Sequence, residues 1–151
     1  MSRPEPPSRA SFAYFAPVTL RWNDCDIQGH VNNSVPFQLF DTVVSFWQIE
    51  NKLFHSPDQP ICVVARQACN FFAEIGMMDR VVIGLALERL GSSSIAYALG
   101  LFVNDDDTAA VQGEFVHVVV DFATRNATPV PEFARRALLT LAPHGNVAPQ
   151  N

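Results

Sequence analysis

Residues 24 to 33 hold a dense group of polar side chains that could act on a carbonyl compound. Two carboxylates (Asp24 and Asp26), one imidazole (His30) and two amides (Asn32 and Asn33) lie within this stretch. A carboxylate can attack an activated carbonyl carbon, or it can take a proton from an attacking water. The same residue types also occur in solvated turns, so at this point chemistry and simple loop structure both remain open.

The elements on either side of this loop would place it at the start of a helix. Residues 17–22 alternate as a short strand. Asn33 or Ser34 can cap the helix that follows, and Pro36 suits its first turn. Backbone N–H groups at a helix start have no partner within the helix and carry the positive end of its dipole. N–H groups near Asn33 could therefore polarise a carbonyl and stabilise an oxyanion.

The remainder of the chain predicts one α+β domain. The helix runs to about Lys52, and its apolar stripe consists of Leu39, Phe40, Val43, Val44, Phe46 and Trp47. Strands are predicted over residues 61–73, 80–90, 95–103 and 109–122, and a short closing helix over 131–141. Short connections favour an antiparallel meander, with the long helix covering one face of the sheet. Small residues on two strands predict a floor that the helix or a thin ligand can approach closely: Gly84, Ala86, Ala96, Ala98 and Gly100.

Length and composition narrow the function classes. The chain has 151 residues, of which 48% are hydrophobic and 17% charged, so we expect residues 17–142 to form one compact domain. Residues 1–16 are expected to be a flexible leader and residues 143–151 a frayed tail. The net charge of −5 disfavours nucleic acid as a partner. No apolar run approaches the roughly 18 residues that span a bilayer, and the start does not resemble a secretory signal. We therefore expect a soluble, cytoplasmic protein without a membrane partner.

Neither a metal nor a separate cofactor is expected. The four histidines lack ligand spacing, and there is no glycine-rich nucleotide motif. Cys25, Cys62 and Cys69 form no CxxC pair and are expected to be buried, reduced thiols. His117 lies in the middle of a predicted strand and is expected to be a hydrogen-bonded residue of the core or of an interface.

The run RWNDCDIQGHVNN, residues 21–33, resembles the signature of hotdog-fold acyl-CoA thioesterases of the 4-hydroxybenzoyl-CoA thioesterase group. The resemblance extends over most of the chain, because the predicted elements follow the family's order of one strand, one helix and four strands. Two further segments are also similar to the family: LGSSS (residues 90–94) and VVVDFATRNATPVPE (residues 118–132). The resemblance implies a hotdog fold, in which a five-stranded antiparallel sheet wraps around one long helix. It also implies a homodimer or homotetramer with active sites at subunit interfaces.

Matched by position, the resemblance implies roles for individual residues. Asp26 corresponds to the catalytic carboxylate, acting as nucleophile or general base on the thioester. Asp41 falls where the family often has an acidic residue on the helix, which would orient water or the acyl group. His30 lies inside the motif and either contacts the substrate or orders the loop. The loop whose backbone N–H holds the thioester oxygen is matched by Gly29, Val31, Asn32 and Asn33.

Two departures from the family pattern concern the pocket rather than the catalytic carboxylate. The family usually has an aromatic residue where this chain has Pro36, and residues 75–79 (IGMMD) replace a more usual Gly-Asp turn. The first departure bears on the shape of the acyl pocket.

The expected reaction is hydrolysis of an acyl thioester carried by coenzyme A or by acyl carrier protein, with coenzyme A as part of the substrate. Two alternatives remain open. One is a hotdog hydratase or dehydratase of enoyl or 3-hydroxyacyl thioesters that uses Asp26 and His30. The other is a non-catalytic module that binds acyl-CoA.

Overall fold

A computed structural model describes residues 4–143 as one antiparallel sheet, one long helix and one short helix. The elements are β1 (Tyr14–Val18), α1 (Val35–Glu50), β2 (Ile61–Phe71), β3 (Val81–Leu90), β4 (Ser94–Val103), β5 (Val111–Val120) and α2 (Glu132–Leu139). The five strands lie in the order β1-β3-β4-β5-β2, and every neighbouring pair is antiparallel. The predicted α+β class is thus confirmed, including the five-stranded sheet and the long helix packed against it.

The position of β2 differs from the predicted meander. Strands β3, β4 and β5 follow one another through short turns, but β2 pairs with β5 at the far edge of the sheet. The connection between β2 and β3, residues 72–80, is longer than a hairpin turn and can carry the chain across the sheet. β1 takes the place beside β3, and the two edges of the sheet are therefore β1 and β2.

Helix α1 packs closely on the sheet because β5 has a glycine at the contact. A Cβ atom at Gly113 would overlap the ring of Phe40, so only glycine lets the ring lie this near the strand. Most of the predicted stripe is buried, but Phe46 is 61% exposed and was wrongly assigned to it. Trp47, the last member of the predicted stripe, is buried as expected.

The floor of small residues is covered by Phe12 and not by α1. A Cβ atom at Gly84 or Gly100 would meet the Phe12 ring at 2.7 Å, and the ring forms a second apolar cluster with neighbours that include Phe102. A close approach to these strands does occur, but an aromatic ring from the chain's own N-terminal segment makes it.

The N-terminal segment is tied to the hairpin between β4 and β5. The Arg9 backbone N–H donates to the Asp107 carbonyl (2.9 Å), and its side chain donates to the Asp106 and Asn104 carbonyls. β1 begins at Tyr14, inside the predicted leader of residues 1–16, whereas the sequence predicted a start at Pro17. Of the predicted tail, residues 144–151 lie outside the described residues. Between residues 4 and 143 there is no helix long and apolar enough to cross a membrane.

Candidate active site

The loop between β1 and α1 is anchored by a buried carboxylate. Asp24 is buried and accepts hydrogen bonds from the Arg21 backbone N–H (2.7 Å) and from the Arg21 guanidinium (2.9 and 3.2 Å). Burial disfavours the charge on Asp24, but the hydrogen bonds and the charge of Arg21 outweigh it and hold the pKa below its ordinary value. The Asp24 carbonyl also accepts from the Asn32 N–H (2.8 Å), so Asp24 joins the two ends of the loop through its side chain and its backbone.

Asp26 lies on an exposed turn held by its own backbone. Its N–H donates to the His30 carbonyl (2.9 Å), and its carbonyl accepts from the Gly29 N–H (3.1 Å). One carboxylate oxygen, Oδ1, accepts from the Gln28 N–H (2.9 Å). Gly29 has a φ of 82°, a left-handed conformation that favours glycine. The turn therefore fixes the Asp26 backbone and one of its oxygens, and the carboxylate remains exposed to solvent.

The start of α1 presents a free backbone donor. Asn32 accepts twice through its side-chain oxygen, from the Ser34 N–H (3.0 Å) and hydroxyl (2.8 Å), and its carbonyl accepts from the Val35 N–H (2.9 Å). Pro36 has no N–H. Among the described residues, none accepts a hydrogen bond from the Asn33 N–H. Asn33 thus presents a donor at the positive end of a 16-residue helix.

These groups border a single cavity of about 310 Å³. The loop and helix start contribute Asp26, Gln28, His30, Val31, Asn33 and Pro36. The opposite wall is formed by Phe71 at the end of β2, by residues 72–75 that follow it, and by Val111. The wall includes Phe71, Phe72 and Ile75, so a carboxylate and a helix-start donor share the cavity with apolar side chains. Such an arrangement suits a substrate with a polar reacting group on an apolar body.

The structure brings together four of the seven residues that the sequence singled out. Asp26, His30, Val31 and Asn33 line the cavity, whereas Gly29 and Asn32 shape the loop around it. Asp41 is exposed on α1 and is not part of the cavity lining.

Glu74 was not foreseen, although it lines the same cavity. Its Oε2 atom lies 3.2 Å from His30 Nε2. Because Glu74 is 44 residues away from His30 in the chain, no local spacing in the sequence could have indicated the pair.

A second polar group is buried beneath α1. The Gln48 side-chain N–H donates to the Tyr97 hydroxyl (3.0 Å) and lies 3.5 Å from His117 Nδ1. His117 Nε2 is buried and has no hydrogen-bond partner among the described residues, so the expectation of a fully hydrogen-bonded histidine is wrong. Burial lowers the pKa of His117, and the charge of Asp41 opposes that shift only in part.

The cysteines are free and half-buried in the described part of the chain. Burial raises the pKa of Cys62 to about 12 and that of Cys69 to about 11, which makes both poor nucleophiles at neutral pH. Within residues 4–143, no three His, Cys, Asp or Glu side chains are grouped so as to hold a metal ion.

Three comparisons place the chain among known proteins. The PA5185 protein from Pseudomonas aeruginosa strain PAO1 has a crystal structure that is 35% identical, covers 95% of this chain and 100% of its own, and gives a TM-score of 0.87. A thioesterase from Thermus thermophilus, crystallised with coenzyme A and Zn, is 27% identical over 85% of this chain and 92% of its own, with a TM-score of 0.68. The YsmA protein of Bacillus subtilis strain 168 is 31% identical over 88 residues, which span 58% of this chain and only 59% of YsmA.

The family comparison covers both the loop and the sheet. The family model of the thioesterase-like superfamily matches residues 20–138, which run from just after β1 into α2. The neighbour from Thermus thermophilus is itself a thioesterase. The chain belongs to the thioesterase-like superfamily and has its hotdog fold.

Proposed function

We propose that this protein hydrolyses acyl-CoA thioesters, with Asp26 as the working carboxylate and the Asn33 backbone N–H as the donor to the thioester oxygen. One observation carries the proposal: Asp26 and Asn33 border the same cavity at the start of α1, and the Asn33 N–H has no acceptor among the described residues. A donor at a helix start stabilises the negative charge that develops on the carbonyl oxygen during attack.

Asp26 can act in either of two ways. As a nucleophile, its carboxylate oxygen attacks the thioester carbon, the C–S bond breaks, and water then hydrolyses the resulting anhydride. As a general base, it takes a proton from the water that attacks the same carbon. Both routes yield the free acid and the thiol. Both also need an accessible carboxylate, which agrees with the exposure of Asp26 and with the one hydrogen bond that it accepts, from the Gln28 N–H.

Coenzyme A is the carrier we propose, because the Thermus thermophilus relative was crystallised with coenzyme A. The acyl group would lie against the apolar part of the cavity, where Pro36 stands in place of the family's usual aromatic residue. The three free cysteines support a reducing compartment such as the cytoplasm.

We also propose that the protein works as a homodimer, or as a tetramer of such dimers. β2 is an edge strand that is largely exposed on both faces, and Val64 in its centre is 47% exposed. An edge strand of this kind presents unpaired backbone groups that a second copy can pair with. The cavity begins where β2 ends, so a partner at this edge would lie beside the active site. Light scattering coupled to gel filtration measures the assembly directly.

The test of the function is thiol release from a panel of acyl-CoAs by the wild type and by Asp26→Asn. We expect the substitution to lower kcat/KM by about 10²–10⁴-fold, the usual contribution of a positioned acid or base. The matched control is Asp107→Asn, which makes the same chemical change on an exposed hairpin.

Three results would contradict the proposal. Wild-type turnover by the Asp26→Asn variant would show that Asp26 is not the catalytic carboxylate. Hydration of crotonyl-CoA without thiol release would indicate a hydratase. Binding of acyl-CoA in a calorimeter without turnover of any acyl chain would indicate a binding module.

A further inference from the structure

The pair formed by His30 and Glu74 lies at the wall of the proposed active site. His30 Nε2 and Glu74 Oε2 are 3.2 Å apart, and both residues border the cavity that also contains Asp26. The side chains are 40% and 77% exposed, so the contact does not follow from burial in a crowded core.

Backbone contacts next to the pair fix the relative positions of the two segments. The Val31 N–H donates to the Ile75 carbonyl (2.8 Å), and His30 forms an isolated antiparallel bridge with Gly76. These bonds tie the residues directly after His30 and Glu74 to each other. The backbone thus brings together the two segments that carry His30 and Glu74.

The other carboxylates near the pair have different partners. Asp79 accepts from the Gly76 N–H (2.7 Å) and from the Asn104 side chain (2.9 Å), which closes the turn after Glu74. Asp26 Oδ1 accepts from the Gln28 N–H. Among these acids it is Glu74 that is directed at the His30 ring. A carboxylate beside one ring nitrogen favours a proton on that nitrogen and so biases the tautomer of a histidine.

We propose that Glu74 is a positioning residue for the proposed hydrolysis, which holds His30 so that its ring delivers a proton to the departing sulfur. The ring proton is assigned to Nε2, which lies 3.2 Å from Glu74 Oε2, and Nδ1 is then the nitrogen that can exchange a proton with a bound ligand. When the tetrahedral intermediate collapses, the C–S bond breaks and the electron pair stays on sulfur. The sulfur takes the proton from Nδ1–H of the protonated ring, which becomes neutral and is protonated again from solvent.

This inference rests on the proposed function and assigns two of its steps to different residues. Asp26 serves the attack on the carbonyl carbon, and His30 with Glu74 serves the departure of the thiolate. A defect in Glu74 should therefore depend on the leaving group, whereas a defect in Asp26 should not. That difference allows the two proposals to fail separately.

The test compares Glu74→Ala, Glu74→Gln and the control Glu88→Ala, a change at an exposed glutamate of β3. Each is assayed on an acyl-CoA and on the thioester of the same acyl group with an electron-poor aromatic thiol, which leaves without a proton. On acyl-CoA we expect Glu74→Ala to lower kcat about 10-fold with KM nearly unchanged, a part of the usual acid–base contribution. On the aromatic thioester its kcat should stay near that of the wild type. Glu74→Gln keeps a hydrogen-bond acceptor and should recover most of the loss.

A double-mutant cycle with His30→Asn shows whether Glu74 acts through the ring. In the His30→Asn background, Glu74→Ala should cause no further loss, because its effect passes through the missing imidazole. Nitrogen-15 NMR of the His30 ring should report the Nε2–H tautomer in the wild type and a mixture in Glu74→Ala.

Some results would overturn the positioning role while leaving the proposed function intact. These are equal losses on both thioesters, additive losses in the cycle, or a ring tautomer that does not respond to Glu74→Ala. If the wild type released no thiol, or if Asp26→Asn kept full activity, the proposed function itself would fail.

Discussion

Two neighbouring aspartates are predicted to have opposite roles, and a pair of substitutions separates them. Asp24 is buried and holds the loop together, whereas Asp26 is exposed beside the cavity. We expect Asp24→Ala to lower the free energy of unfolding clearly. Asp26→Ala should lower it by less than about 1 kcal/mol, the ordinary range for an exposed position.

The magnitude for Asp24 follows from its contacts. Its Oδ2 atom accepts from the Arg21 backbone N–H at 2.7 Å, and a hydrogen bond to a charged group contributes about 1.5–3 kcal/mol. The Arg21 side chain is 69% exposed, so water screens its ion pair and it is left out of this figure. Removing the carboxylate should therefore cost about 1.5–3 kcal/mol. For a chain of this length, that loss corresponds to a fall in Tm of about 3–12 °C.

The assay is urea unfolding at a fixed protein concentration, followed by tryptophan fluorescence from buried Trp47. Because the pKa of Asp24 is lowered in the folded state, its contribution is present above the unfolded value of about 3.9 and is lost as pH falls through the folded pKa. The wild type should therefore lose this contribution in acid, and Asp24→Ala should lack that part of the pH dependence. Equal destabilisation by Asp26→Ala, or none by Asp24→Ala, would refute the assignment.

Three further predictions concern packing and pH. Gly113→Ala should destabilise the fold by about 1–3 kcal/mol through overlap with the Phe40 ring, and urea unfolding of a Phe40→Leu double variant should recover part of the loss. Phe12→Ala should cost about 3 kcal/mol; an unchanged Tm would show that the N-terminal segment contributes nothing to the fold. Because burial lowers the pKa of His117, stability should fall as pH drops below the unfolded value of about 6.5 towards the folded pKa, by at most about 1.4 kcal/mol per pH unit. His117→Gln should flatten the unfolding free energy measured between about pH 7 and pH 5, on either side of the unfolded value, and an unchanged slope would contradict this interpretation.

Local features of the fold were accessible from the sequence because they depend on neighbours along the chain. The helix start was predicted from Asn33 or Ser34 as N-cap and from Pro36 in the first turn, and α1 begins at Val35 with Ser34 at its N-cap position. The cap itself differs in detail, because the Ser34 N–H donates to the Asn32 side-chain oxygen and the Val35 N–H donates to the Asn32 carbonyl. The strand count and the antiparallel sheet were likewise predicted from turn residues and apolar runs.

Features that depend on distant parts of the chain were missed or misassigned. The order of strands placed β2 at an edge beside β5, which no local pattern encodes. The exposure of Phe46 depended on where α1 meets the sheet, because a helical period defines a stripe but not which side of it is covered. Phe12 lay in a segment that resembled a loose leader, yet its ring fills the space above two glycines of the sheet.

The candidate site likewise has a part that depends on neighbouring residues and a part that depends on distant ones. The sequence alone determined the short-range part, from Asp24 to Asn33, because a turn, a glycine with positive φ and a helix start are all specified by adjacent residues. Only the tertiary structure decided that Asp24 is an internal anchor while Asp26 is exposed, because burial depends on what packs against each side chain. The tertiary structure also brought Glu74 to His30, since the backbone pairing that joins their segments forms only once the connection after β2 crosses the sheet.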